Sequence, residues 1–102
     1  EIPSKPVYSD DTYYAFADIK PQAPTHILII PRKPIPKISD ATDADQMLLG
    51  GLILKANEIA RTLGLAEEGY RLVINCGKQG GQEVYHLHLH LLGGRQMSWP
   101  PG

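Results

Sequence analysis

The sequence predicts an α+β domain: one five-stranded, mostly antiparallel sheet with a single long helix on one face. Three observations carry this. Apolar or small residues recur at helical spacing in one stretch, from Leu48 to Leu63. The connection bracketed by Pro21 and Pro24 is too short for a crossover helix, so the flanking strands make an antiparallel hairpin. His86 to Leu92 alternates histidine with leucine, the period of a strand with two different faces.

Glu1 to Pro6 carries two prolines and reads as an extended lead-in. Val7 to Ser9 makes a short first strand, closed by the Asp10-Asp11 turn signal. Thr12 to Ala17 is aromatic and β-favouring, and it ends at Asp18. Thr25 to Ile30 is the third strand. Pro31, Pro34 and Pro36 then forbid regular helix and mark a loop. Asp40 to Asp45 offers acceptors for the free amides of a helix start. Leu48, Leu52, Ala56, Ile59 and Leu63 carry the helix on, and Gly64 supplies its stop. The internal pair Gly50-Gly51 costs about 1 kcal/mol per glycine relative to alanine, so a close neighbour is expected there. A strand at Tyr70 to Asn75, a glycine-rich loop to Gly81 and a last strand at Glu83 to Leu92 complete the sheet.

With 102 residues the chain makes one domain, 1–102, burying roughly two-thirds of its unfolded surface; dimerisation is a reasonable way to add more. Ten basic against eleven acidic residues argue against a nucleic-acid surface. Apolar runs of a few residues fall far short of the ~20 that cross a bilayer. The single cysteine, Cys76, allows no internal disulfide framework and favours a reducing compartment, so a cytoplasmic location is expected. The sequence shows no signal or transit segment but opens at Glu1 instead of methionine, so organelle import stays open.

The chemistry concentrates at His86, His88 and His90, which a strand would place on one face with Leu87, Leu89 and Leu91 on the other. The leucines cover the core. Three histidines in register are poorly explained as a merely solvated face. A metal site is limited by geometry: strand neighbours two apart are ~6.6 Å apart and the outer pair ~13 Å. His26 and Cys76 are candidate further ligands, yet no Cys-x-x-Cys or His-Glu-x-x-His partner exists. The third reading is nucleophilic catalysis, with one neutral imidazole attacking phosphorus while its neighbours handle charge and protons. Adjacent imidazoles also discourage one another from charging. The loop Gly77 to Gln82 would supply backbone amides to an anion, although it lacks the Walker pattern and glycine loops are common turns.

His86-Leu87-His88-Leu89-His90-Leu91-Leu92 resembles the motif of the histidine triad superfamily. Phe16-Ala17-Asp18-Ile19, Pro21 to His26, Gly80-Gly81-Gln82 and the ending Gly93 to Gly102 are similar to its Hint branch, over essentially the whole chain. The resemblance implies a homodimer whose sheets join into one, with no metal cofactor. It implies hydrolysis of purine nucleoside phosphoramidates (AMP or GMP amides) to a monophosphate and an amine. In that scheme His88 is the nucleophile, His90 contacts the phosphate, and His86 with His26 orients the cluster. Asn75, Gly81, Gln82 and Glu83 would line the phosphate side. Asp18 would take the ribose hydroxyls, while Phe16 and Ile19 face the base. The tail 93–102, with Trp99, would lie near the partner's site on the leaving-group side.

Two departures stand out. Glu83 occupies a position where several relatives carry a small hydroxyl residue, and a carboxylate there would repel phosphate. Relatives also have a segment ahead of the Ile2-Pro3 equivalent that contributes to the base pocket. A dinucleoside polyphosphate hydrolase and a nucleotide-binding regulatory or scaffold module are the alternatives.

Overall fold

The computed structural model describes residues 5–102, so residues 1–4 of the expected lead-in lie outside the described residues. Five strands form one sheet: β1 (Tyr8–Ser9), β2 (Tyr13–Ala17), β3 (Thr25–Pro31), β4 (Tyr70–Val73) and β5 (Leu89–Gly93). Their spatial order is β1-β2-β3-β5-β4, and every pairing is antiparallel. The helix α1 spans Gln46–Thr62 between β3 and β4. The expected α+β architecture is the observed one. No helix among the described residues is long and apolar enough to cross a membrane.

The sheet has two unlike faces. Ala15, Ile29 and Leu89 pair across three strands, as do Ile27, Leu91 and Leu72. This row meets Leu52, Ala56, Ile59 and Ala60 of α1 to make the core. Ala15, Ile29, Leu52 and Leu91 are fully buried. A Leu or Ile side chain taken from water into such a core contributes about 1.5–3 kcal/mol. On the opposite face Phe16 pairs with Leu28, and Leu28 with His90. That second face carries the cleft.

The acidic stretch does not cap the long helix as expected. Two 3-10 turns, Ile38–Asp40 and Asp43–Asp45, precede α1. The N-cap of α1 itself, Asp45, makes no side-chain cap bond, and the capping falls on the second of these turns. Thr42 accepts from the Ala44 amide, and the Asp45 carboxylate accepts from the Thr42 amide in a capping box. Lys33 closes on the same carboxylate at 2.6 Å, which together with these hydrogen bonds holds the buried Asp45 below the ordinary carboxyl range. Of the glycine pair, Gly51 has the expected close neighbour. A Cβ there would lie 2.1 Å from the Tyr13 hydroxyl, which donates to the Leu48 carbonyl. Gly50 meets nothing.

The last strand is shorter than the sequence predicts. The expected span Glu83–Leu92 reduces to Leu89–Gly93, and the fourth strand ends at Val73, not Asn75. Pro31 is the cause. The β3–β5 register would set Pro31 opposite Leu87, but proline has no N–H to donate. Its carbonyl is taken by the His86 ring at 2.9 Å, and the Leu87 amide turns to the Ile35 carbonyl at 2.7 Å. Alternation nonetheless persists beyond the ladder, with Leu87 and Leu89 buried and His86 and His88 half-exposed between them.

Candidate active site

A cleft of about 430 Å³ opens on the sheet face away from the helix. Its floor is His86, His88 and His90, with Leu28 and Ile30 of β3 beside them. Phe16, Asp18, Ile19 and Lys20 form one end; Asn75, Gly81, Glu83 and Val84 also line it. All three histidines therefore meet in one space although only His90 lies inside a strand.

Fixed hydrogen bonds assign the neutral tautomers. The Gln22 amide can only donate, and it points at His26 Nδ1 at 3.0 Å. Neutral His26 therefore keeps its proton on Nε2. That nitrogen lies 2.9 Å from His90 Nδ1, so His90 accepts and holds its own proton on Nε2. His90 Nε2 is buried and has no hydrogen-bond partner among the described residues. His88 runs the opposite way. Its Nδ1 faces the His86 carbonyl at 2.8 Å and must donate, which leaves the lone pair on Nε2. The His86 Nε2 is likewise committed to Pro31.

The result is a lone-pair nitrogen beside an unpartnered N–H, on rings 4.9 Å apart. Burial, then the neighbouring His88 and His26, push the His90 pKa down to about 4. Burial also lowers that of His26, partly offset by Asp18, whose Oδ2 lies 3.5 Å from His26 Nε2. Both rings stay neutral near pH 7, as the tautomer chain requires.

Asp18, His26 and His90 bring three potential ligand atoms within 4.8 Å of one another. An ion among them would need a lone pair on His26 Nε2. The Gln22 amide fixes the proton there, so the set is wired for a hydrogen bond and fits a metal poorly. Cys76, the other candidate ligand, lies outside the cleft lining and pairs with Ser39 at 3.4 Å. That contact pulls the thiol below its ordinary range.

Of the residues singled out from sequence, Phe16, Asp18, Ile19, Asn75, Gly81, Glu83 and the three triad histidines line the cleft. His26 supports it from beneath as a buried residue. Gln82 does not join them. Its buried carboxamide accepts from the Gly77 amide and donates to the Pro36 and Val84 carbonyls, bracing the loop. The expected anion cradle also changes, because the amides of Gly77, Gly81 and Gln82 are all spent inside the loop. The amides of Glu83 and Val84 have no partner among the described residues. Gly80 is what lets the loop close, since a Cβ there would meet the Cys76 carbonyl at 2.3 Å. Trp99 lies outside this cleft and is 81% exposed, with the Arg71 guanidinium 5.9 Å from its ring centre.

Sequence reasoning did not single out Leu28, Ile30, Lys20 or Val84. The first two were open to it: they stand two and four residues after His26 in one strand and share its face.

A model of the HIT domain matches residues 1–97. The chain belongs to the HIT family. This HIT protein is 58% identical to an uncharacterised HIT-like protein of Synechocystis sp., over all of this chain and 89% of that one. Its fold superposes on a HIT family hydrolase from Legionella pneumophila with a TM-score of 0.96 and 57% identity, covering 99% of this chain and 90% of that one. A zinc-bound histidine triad family protein from Mycobacterium smegmatis is more distant, at 28% identity and a TM-score of 0.76, covering 92% and 68%. The HIT chain described here thus has the fold of a hydrolase family.

Proposed function

We propose that this protein hydrolyses purine nucleoside phosphoramidates at the P–N bond, through a covalent intermediate on His88. The observation that carries the reading is the opposed pair of tautomers: His88 offers a lone pair where His90 offers an unpartnered N–H. A nucleophile and a hydrogen-bond donor side by side suit an electrophilic centre with anionic oxygens.

His88 Nε2 attacks the α-phosphorus, forming an N–P bond as the bond to the amine breaks. The amine nitrogen takes up a proton from solvent and leaves, and the later attack of water returns one to solvent. His90 Nε2–H donates to a phosphoryl oxygen throughout, and its low pKa keeps it a neutral donor. Water then attacks the nucleotidyl-histidine, releasing the nucleoside monophosphate and restoring neutral His88. Asp18 accepts from the ribose hydroxyls while its Oδ1 is held by the Lys20 amide at 2.9 Å. Phe16, Ile19, Leu28 and Ile30 supply apolar surface for the base. No step calls for a metal ion.

The working unit in this reading is a homodimer. β4 is an edge strand, so its outer row of backbone groups is open to pairing with a second copy. Met47 and Leu54 of α1 are exposed apolar residues. The tail with Trp99 would then reach the partner's cleft.

The test is turnover of an adenosine 5′-phosphoramidate carrying a fluorescent amine, by wild type, by His88→Ala and by wild type with EDTA. Activity that survives EDTA and vanishes in His88→Ala is expected. Loss to EDTA would point to a metal, and an inactive wild type to a binding module. Faster cleavage of a dinucleoside polyphosphate than of any amide would reassign the leaving group. Light scattering checks the dimer, and a stable monomer at micromolar concentration would overturn that part.

A further inference from the structure

We infer that Glu83 makes the leaving-group end of the cleft selective for amines that carry a second, protonated nitrogen. The inference rests on the phosphoramidase reading and names the substrate class within it. It begins with where charge lies along the cleft. β3 serves as a ruler, with His26 near its first residue and Pro31 at its last, roughly 16 Å away at strand rise. The Asp18 amide donates to the His26 carbonyl, so Asp18 marks one end. The His86 ring is anchored on the Pro31 carbonyl, and Glu83, three residues before His86, marks the other.

Three charged side chains other than histidine line the space: Asp18, Lys20 and Glu83. Lys20 sits at the Asp18 end, where its amide binds the Asp18 carboxylate. No basic side chain lines the Glu83 end. Glu83 takes part in none of the ion pairs among the described residues, and its side chain has no hydrogen-bond partner there. Its side chain is exposed to the space of the cleft and to solvent.

Substrate placement then follows from the other residues. The nucleoside occupies the end with Phe16, Asp18 and Ile19, and phosphorus sits over His88 and His90. What lies beyond phosphorus extends toward the remaining end, where an uncompensated carboxylate waits. A protonated nitrogen there is attracted and a carboxylate or phosphate repelled, and a cleft between low-dielectric walls strengthens both effects over open water. The same repulsion disfavours a leaving nucleotide, so Glu83 discriminates partly by what it rejects.

The experiment compares three adenosine 5′-phosphoramidates of equal length: one with a distal ammonium, one ending in a methyl and one ending in a carboxylate. Wild type, Glu83→Gln and Glu83→Lys are assayed for kcat/KM at low and high salt. Wild type should prefer the ammonium substrate over the methyl one by about three- to tenfold, with the carboxylate slowest. Glu83→Gln should bring the three rates together, and Glu83→Lys should reverse their order. High salt should shrink the wild-type preference. An unchanged ratio in Glu83→Gln, or no reversal in Glu83→Lys, would overturn the inference while leaving the phosphoramidase reading intact. Wild type inactive on all three would overturn both.

Discussion

His90 and Leu91 are neighbours in one strand, yet they belong to regions governed by different physics. Leu91 faces the helix and is fully buried among aliphatic side chains, where shape and volume decide what is allowed. His90 faces the cleft, where direction decides: its Nδ1 accepts from His26 Nε2, which leaves the proton on the unpartnered Nε2. The helix face tolerates exchange of one hydrocarbon for another. The cleft face tolerates no reversal of a proton. Mutations on the two sides should therefore fail differently, in stability on one and in turnover on the other.

The sharpest break is His88→Ala. It removes the lone-pair nitrogen and should lower phosphoramidate turnover at least about a thousandfold. The half-exposed ring contributes little packing, so the denaturation midpoint should hardly move. A large loss of stability would show that the cleft face is structural after all. Leu91→Ala is the mirror experiment. A vacated core position of this kind costs about 2–5 kcal/mol in urea unfolding, with kcat of the folded fraction nearly unchanged.

His26→Leu probes the seam between the regions. It keeps an aliphatic volume in a buried position but deletes the donor that sets the His90 tautomer. Activity should fall about tenfold to a hundredfold through misdirected geometry, mainly in kcat, with an altered pH profile. An unaltered profile would mean that His26 only fills space. Gly51→Ala stays wholly on the helix side. Its Cβ must displace the Tyr13 hydroxyl from the Leu48 carbonyl, at about 1–3 kcal/mol of stability and no change in pH profile.

The helix face was far more legible from sequence than the cleft face. Thr25 to Ile30 is apolar on both faces and buries His26 and Ile30 as well as Ile27 and Ile29. Alternation in Leu87 to Leu91, by contrast, told which residues are buried there, because burial follows period. The same alternation grouped His86, His88 and His90 correctly even though the strand stops at Leu89, since the chain keeps turning side to side beyond the ladder. What alternation does not encode is the partner of each nitrogen. The Gln22 amide on His26, the His86 carbonyl on His88 and the Pro31 carbonyl on His86 are backbone groups, with no residue-type signature. Gln82 misled for a related reason. A carboxamide in a glycine loop suits a ligand or a brace equally, and only its three internal bonds show which it is.

The smallest effect tests both regions together. Folding holds His90 at a pKa of about 4 against an ordinary 6.5, chiefly because the ring is desolvated beside two other imidazoles. Between those values the unfolded chain binds a proton that the folded one refuses. Stability is therefore complete above about pH 6.5, falls as the pH drops toward 4, and loses nothing more from this group below that. His26 shifts the same way and adds to the slope. Urea midpoints at pH 7.5, 5.5 and 4.5 should decline for wild type and decline less for His90→Asn, which has no ring to charge. Parallel lines for the two proteins would mean that His90 titrates as an ordinary histidine. The neutral donor at the centre of the cleft would then be lost, while the packing beneath Leu91 would stand untouched.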